Sequence, residues 1–241
     1  MTKALVLLSG GLDSTVMLAM IKARNVYNKI YALSFDYGQR HKNELNCAIQ
    51  QAIHYSVWEH QVVNIDMTKI GGSSLTDKSM EVPKDRHEKG FDWTIPSTYV
   101  PARNTIFLAF ALGYAETINA QDIYIGANQL DFAGYPDCRP EYFRAFERMA
   151  NLSTAKAVEG ELRFSIITPL IKMSKEEIIT RGKELSVDFA RTFSCYDPDG
   201  SGRACRTCDA CKLRLEGFEE AGMKDPAVYI DREREELLQK D

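Results

Sequence analysis

Hydrophobic and polar positions along the chain alternate between two kinds of segment. Residues 4 to 8 (Ala-Leu-Val-Leu-Leu) form a short continuous apolar run ahead of Ser9-Gly10-Gly11, the mark of a strand buried on both faces of a parallel sheet. A helix should follow at once, with Asp13 or Ser14 as its cap and an apolar face from Val16, Met17, Ala19, Met20 and Ile21 before Asn25. The rhythm repeats: strand 29 to 35, helix 43 to 55, strand 60 to 65. Residues 102 to 119 are apolar almost all round and predict a central, largely buried helix, followed by a strand over 122 to 126. Then come a helix near 141 to 149, a short strand over 164 to 168, and a helix capped by Ser174 with Glu177 at capping-box spacing. Strand alternating with helix predicts a doubly wound, parallel α/β sheet.

Two stretches depart from this rhythm. Residues 71 to 100 open on Gly71-Gly72-Ser73-Ser74 and carry scattered charge without periodicity; the sequence leaves open a lid over a site or an unstructured stretch. From Thr192 the composition turns to Cys, Asp, Gly and Arg, with a helix from about 209 to 220 and a charged tail from 231. We divide the chain accordingly into an α/β body over 1–191 and a cysteine-rich segment over 192–241.

Composition narrows the class. With 44% hydrophobic and 27% charged residues the chain is an ordinary folded protein. Its 241 residues suit one large domain with at most a small appendage. Thirty Lys and Arg against thirty-four Asp and Glu leave a charge of -4, so no broad footprint for a nucleic-acid backbone is evident. The five-residue apolar run near the N-terminus is too short for a signal peptide or a membrane span, so a cytoplasmic location is expected. In a reducing compartment the six cysteines call for metal, catalysis or burial rather than disulfides.

Four of them, Cys195, Cys205, Cys208 and Cys211, have the spacing Cys-x9-Cys-x2-Cys-x2-Cys. Four thiolates suit a closed tetrahedral Zn2+ site, one per chain; an iron-sulfur cluster is the rival. Cys47 reads as buried, and Cys138 as packing or pocket wall. His41, His54, His60 and His87 do not recur at ligand spacing.

Ser9-Gly10-Gly11-Leu12-Asp13-Ser14-Thr15 lies between the first strand and its helix, where backbone N–H groups and the helix dipole can hold phosphate. It lacks the lysine of a Walker loop and the third glycine of a dinucleotide fingerprint. The wording Ser-Gly-Gly-x-Asp-Ser resembles the PP-loop, or N-type ATP pyrophosphatase, superfamily. Six segments in order resemble one family within it, the 7-cyano-7-deazaguanine synthases. They are Leu8 to Leu18, Ser34 to His41, Val100 to Thr105, Asp131 to Pro140, Thr168 to Ile171, and Ser194-Cys195-Tyr196 with the cysteine cluster. A small departure is Arg206, where the family commonly has glycine; the thiol spacing is kept.

The resemblance implies an adenine-nucleotide α-hydrolase-like (HUP-like) fold and an ATP-dependent carbon–nitrogen ligase. Its substrates are 7-carboxy-7-deazaguanine and ammonia, with MgATP and an acyl adenylate, and two ATP are used per nitrile. It also implies a homodimer acting on a small molecule, with no nucleic acid and no membrane. We assign ATP and Mg2+ to Leu8, Ser9, Gly10, Gly11, Leu12, Asp13, Ser14, Thr15, Val16, Met17, Leu18, Arg103 and Asn104, with Asp13 on the metal side. Asp13, Ser14, Arg103 and Asp131 are the catalytic candidates. Asp36, Tyr37, Gln39, Arg40, Tyr135 and Asp137 are assigned to substrate, the last two in a loop able to pair and stack a guanine-like ring. Ordinary turns and helix caps remain the plainer explanation for 36–40, 103–104 and 131–137. A tRNA-thiolating PP-loop enzyme and a non-catalytic nucleotide-binding module are the alternatives.

Overall fold

The computed structural model describes residues 2–86, 95–129 and 135–231. Five parallel strands form one sheet in the order β3-β2-β1-β4-β5: β1 (Lys3–Leu7), β2 (Lys29–Asp36), β3 (Glu59–Asn64), β4 (Asp122–Ile125) and β5 (Ser165–Ile167). All five expected strands are present within one or two residues of their predicted limits. The helices are α1 (Leu12–Arg24), α2 (Asn43–His54), α3 (Arg103–Ile118), α4 (Pro140–Ser153), α5 (Ala155–Val158), α6 (Lys175–Glu184) and α7 (Asp209–Glu220). α5 is a single turn that the pattern does not announce.

The pleat divides the core in two. Leu5 and Leu7 of β1 join α3 and α4 residues on one face, while Ala4, Val6 and Leu8 join α1 and α6 on the other. Successive strand side chains point to opposite faces, so a continuous apolar run fills both layers at once. α3 corrects the expectation of all-round burial. Leu108, Ala111, Leu112 and Ala115 are buried against the sheet, but Phe110 is 49% exposed. The helix is an outer layer over β1 and β4, so only its inner stripe meets the core.

Two helix starts matter for the site. At α1 the cap is Gly11, not Asp13 or Ser14; the Ser14 hydroxyl, inside the first turn, accepts from the Ser9 and Gly10 N–H groups, each at 3.2 Å. At α6 the expected capping box is complete: Ser174 Oγ accepts from Glu177 N at 3.1 Å and Glu177 Oε2 accepts from Ser174 N at 2.8 Å. Ser174→Ala should cost about 1 kcal/mol, measurable as a lower urea midpoint at unchanged slope.

Strand order reverses between β1 and β4, because the chain builds outward through β2 and β3 before returning to the far side of β1. In open α/β sheets such a switch point leaves a crevice beyond the carboxyl ends of the strands. Among the described residues no helix is long and apolar enough to cross a membrane.

Candidate active site

The cleft lies at that switch point. Its floor is the glycine loop leaving β1 and the Gly126-Ala127-Asn128 segment leaving β4. It is an open cleft rather than an enclosed cavity: its empty space, counted together with the solvent at its mouth, is about 1280 Å³.

Gly10 explains the loop's shape. Its φ is +86°, and a Cβ there would stand 2.1 Å from the Glu44 carbonyl oxygen and 2.5 Å from Ala48 N. Only glycine lets the loop lie directly on the backbone of α2. Leu8, Ser9, Gly11, Leu12, Asp13 and Ser14 then face the cleft. Gly10 does not line it, nor do Thr15, Val16, Met17 and Leu18, which are buried in α1. Asp13 is paired with Lys175, its Oδ1 2.6 Å from the ammonium. Lys175 opens α6, so the capping box aims it at the loop.

Arg103 and Asn104 reach the cleft from the start of α3. The residue before them, Ala102, is left-handed (φ 54°, ψ 23°), a strain of about 1–2 kcal/mol held in place by a hydrogen bond from its N–H to Tyr99 Oη at 3.1 Å. Asp137 serves α3 rather than the cleft. Its Oδ2 accepts from Asn104 N at 3.1 Å, and its carbonyl accepts from Asn104 Nδ2 at 3.0 Å. Of the substrate candidates, Tyr37, Gln39 and Tyr135 line the cleft; Asp36, Arg40 and Asp137 do not. Gln39 also ties the turn, accepting from Tyr37 N at 2.7 Å and donating to Phe35 O at 3.2 Å. Asp36 pairs with Lys42 at 2.7 Å. Arg40 turns away to hold the 71–86 stretch, donating to the carbonyls of Ser74 (2.6 Å), Asp77 (3.3 Å) and Met80. Asp131 and His87 lie outside the described residues, as do 87–94 of the candidate lid.

The aromatic wall is Phe107, stacked on Phe35 with centroids 4.0 Å apart and planes 4° from parallel, together with Tyr37, Tyr135 and Tyr196. Tyr135 Oη lies 2.9 Å from Thr98 Oγ1. Burial pushes the Tyr135 phenol up to about 12. Cys138 is both buried and part of the wall; burial, then the charge of Asp137, pushes its thiol up to about 12, so it stays protonated and inert as a nucleophile.

Several cleft residues escaped sequence reasoning: Glu44, Lys175, Ser194, Tyr196 and Arg214. Lys175 carried a faint signal, since a cation in the first turn runs against the helix dipole. Glu44 carried none, because an acidic residue there reads as a dipole partner. Arg214 is nearly fully buried, paired with Asp225 through two contacts of 2.9 and 3.0 Å, and donates to Thr192 Oγ1 at 2.8 Å and to Phe189 O at 3.1 Å. It fastens α7 to the cleft wall.

The four cysteines converge as expected. All are buried, and their Sγ atoms lie within 4.8 Å of one another. Around one tetrahedral ion at about 2.3 Å, sulfurs would lie about 3.8 Å apart; Cys205 and Cys211 are at 4.0 Å. Backbone N–H groups of Asp197, Cys205 and Cys208 point at Cys195 or Cys205 sulfur at 3.2–3.3 Å, which favours thiolates. The donor set fits a single metal ion. Cys208 is also the N-cap of α7, and Ala210, Leu213 and Arg214 of that helix line the cleft.

Comparison with known proteins now adds to this geometry. The profile of the family described as "Queuosine biosynthesis protein QueC" matches residues 3–222. This chain belongs to the QueC family. Its relatives include the 7-cyano-7-deazaguanine synthases of Geotalea uraniireducens (56% identical, covering 96% of this chain and 99% of the relative) and Pseudomonas fluorescens (52%, 95% and 98%). Among solved structures, the U34-tRNA thiolase NcsA of Methanococcus maripaludis, with its [4Fe-4S] cluster, has a TM-score of 0.51 at 15% identity, over 100% of this chain and 72% of that one. That likeness establishes that the QueC chain shares the fold of that thiolase. The α/β reading of the sequence stands.

Proposed function

We propose that this chain is an ATP-dependent ligase converting 7-carboxy-7-deazaguanine and ammonia to 7-cyano-7-deazaguanine, using two ATP and releasing AMP and pyrophosphate. The observation that carries the reading is the facing of two walls across one cleft. A phosphate-type glycine loop with Asp13 and Lys175 stands on one side, and Arg103 with an aromatic wall on the other. The names borne by close relatives supply the product, and the carboxylate of the same ring is the substrate that adenylation chemistry calls for.

A carboxylate resists attack until its oxygen becomes a leaving group. In the proposed first step that oxygen attacks the α-phosphorus of ATP, and pyrophosphate departs toward the N–H groups at the start of α1. Ser9, Gly11 and Ser14 would hold phosphate, with Asp13 as the residue nearest magnesium and Lys175 as its counter-charge. Arg103 would meet the charge that develops on the adenylated group, as a planar fork suited to carboxylate or phosphate. Phe107 and Tyr37 would stack the deazaguanine ring. Ammonia then displaces AMP to give the amide, and a second adenylation at the amide oxygen lets that oxygen leave on AMP as the nitrogen gives up its two protons.

We assign one Zn2+ to the four cysteines. A [4Fe-4S] cluster seats each of four thiolates on a different iron and spreads the sulfurs more widely than a single ion does. The metal supplies folding energy at this site. We further infer a homodimer in the cytoplasm, with residues 1–191 as the catalytic body and 192–241 as its metal-held segment.

The test is to incubate the protein with 7-carboxy-7-deazaguanine, MgATP and ammonium, and to follow products by mass spectrometry. Nitrile with about two AMP per turnover is expected. AMP without nitrile would move the substrate to tRNA. ADP and phosphate would overturn the adenylation scheme, and a brown, iron-containing protein the zinc assignment.

A further inference from the structure

The steps above leave one carboxylate unused. Glu44 stands in the first turn of α2 and lines the cleft. It is tied to the phosphate loop, since its own carbonyl oxygen is the atom against which Gly10 packs. Arg103 faces it from α3, Tyr37 from the turn after β2, Tyr196 from the irregular stretch after residue 191, and the Cys47 thiol from its own helix. Among the described residues none hydrogen-bonds its carboxylate. The side chain is half-buried and its carboxylate is poorly solvated without such partners, and a cleft is where that cost is repaid in chemistry.

We propose that Glu44 is the general base that takes N–H protons during amide formation and during its dehydration to the nitrile. The proposal rests on the ligase reading above. When ammonia adds to the acyl adenylate, the nitrogen gains a positive charge. Unless it loses a proton, the adduct collapses backwards. In the forward step a proton passes from nitrogen to Glu44 Oε, the C–O bond to AMP breaks with its electron pair leaving on phosphate, and the neutral amide remains. After the second adenylation, the O-adenylated amide holds two N–H protons. One goes to Glu44 and the other to solvent, the nitrogen lone pairs form the second and third C–N bonds, and AMP departs.

The other titratable groups of the cleft do not serve. Asp13 is engaged by Lys175, and Arg103, Arg214 and Lys175 carry cations. The Tyr37, Tyr135 and Tyr196 phenols and the Cys138 thiol are all held protonated, chiefly by burial. Burial pushes Glu44 itself up to about 7, with Arg103 pulling the other way, which matches a base working near neutrality.

The test compares the parent with Glu44→Gln and Glu44→Asp. If the parent makes no nitrile, the ligase reading fails and the proposal with it. If it does, Glu44→Gln should keep substrate-dependent ATP–pyrophosphate exchange while nitrile formation falls by about 10²–10⁴-fold. The acid limb of the parent's pH profile, centred near 7, should vanish in that variant. Because the native state disfavours ionised Glu44, its stability falls as pH rises from the carboxylate's ordinary value toward 7. Glu44→Gln should therefore raise Tm at pH 8 and leave it unchanged at pH 4, which also certifies the fold. Glu44→Asp should keep the acid limb at a reduced rate. Exchange lost in step with nitrile, an acid limb unmoved in Glu44→Gln, or near-parental nitrile formation would each overturn the assignment.

Discussion

Cys208→Ser is expected to release the bound metal and to unfold residues 192–231 together with one wall of the cleft. Structural zinc binding supplies about 10–16 kcal/mol in zinc-finger peptides, as much as the whole stability of an ordinary domain, about 5–15 kcal/mol. Cys208 contributes twice, as a ligand and as the cap from which α7 starts. Its loss therefore also frees Ala210, Leu213 and Arg214 from the wall. Elemental analysis should fall from about one metal ion per chain to none, and Tm should drop by more than roughly 10 °C. Retained metal with unchanged Tm would show that three thiolates suffice. Strong chelation of the parent should reproduce the variant, with nucleotide turnover lost alongside the metal.

Arg103→Ala should lower kcat by about 10²–10³-fold, the usual penalty for removing one donor from a developing oxyanion. Arg103→Lys should recover only part of this, because a point charge cannot reproduce the planar fork. A second signature follows from Glu44, whose titration Arg103 pulls downward. Without the guanidinium the carboxyl gains its proton at higher pH, so the acid limb of the rate profile should move upward. The two residues thus predict opposite outcomes: Arg103→Ala displaces the limb, Glu44→Gln abolishes it. Arg103→Ala with parental kcat would remove the arginine from the chemistry.

The parallel sheet was legible because each strand is a short apolar run closed by a turn, and period alone separates it from the helices between. Gly11, Asp13 and Ser14 were legible as cleft residues because the glycine loop is contiguous, and the cysteines as a cluster because three of them are spaced by two residues. The rest of the site is assembled across distance. Lys175 meets Asp13 from 162 residues away, and nothing in either neighbourhood announces the other. Asp137 and Arg40 looked like ligand residues because polar side chains in loops serve equally to bind ligands and to satisfy backbone. The first caps α3, and the second collects carbonyls from 74–80. α3 misled for a related reason: total apolarity does not say whether a helix is enclosed or lies over a sheet with Phe110 outward.

The glycine loop in the floor of the cleft is written first and the residues that close over it are among the last. Gly10 O accepts from Phe193 N at 3.1 Å, and the ammonium facing Asp13 belongs to Lys175. At the usual pace of translation, about 5–20 residues per second, the glycine loop waits on the ribosome for roughly 10–30 s before these partners emerge. During that interval ATP has no complete pocket to bind, so nucleotide cannot act as a folding template for the nascent chain, and the loop is kept idle until nearly all of the protein has been made.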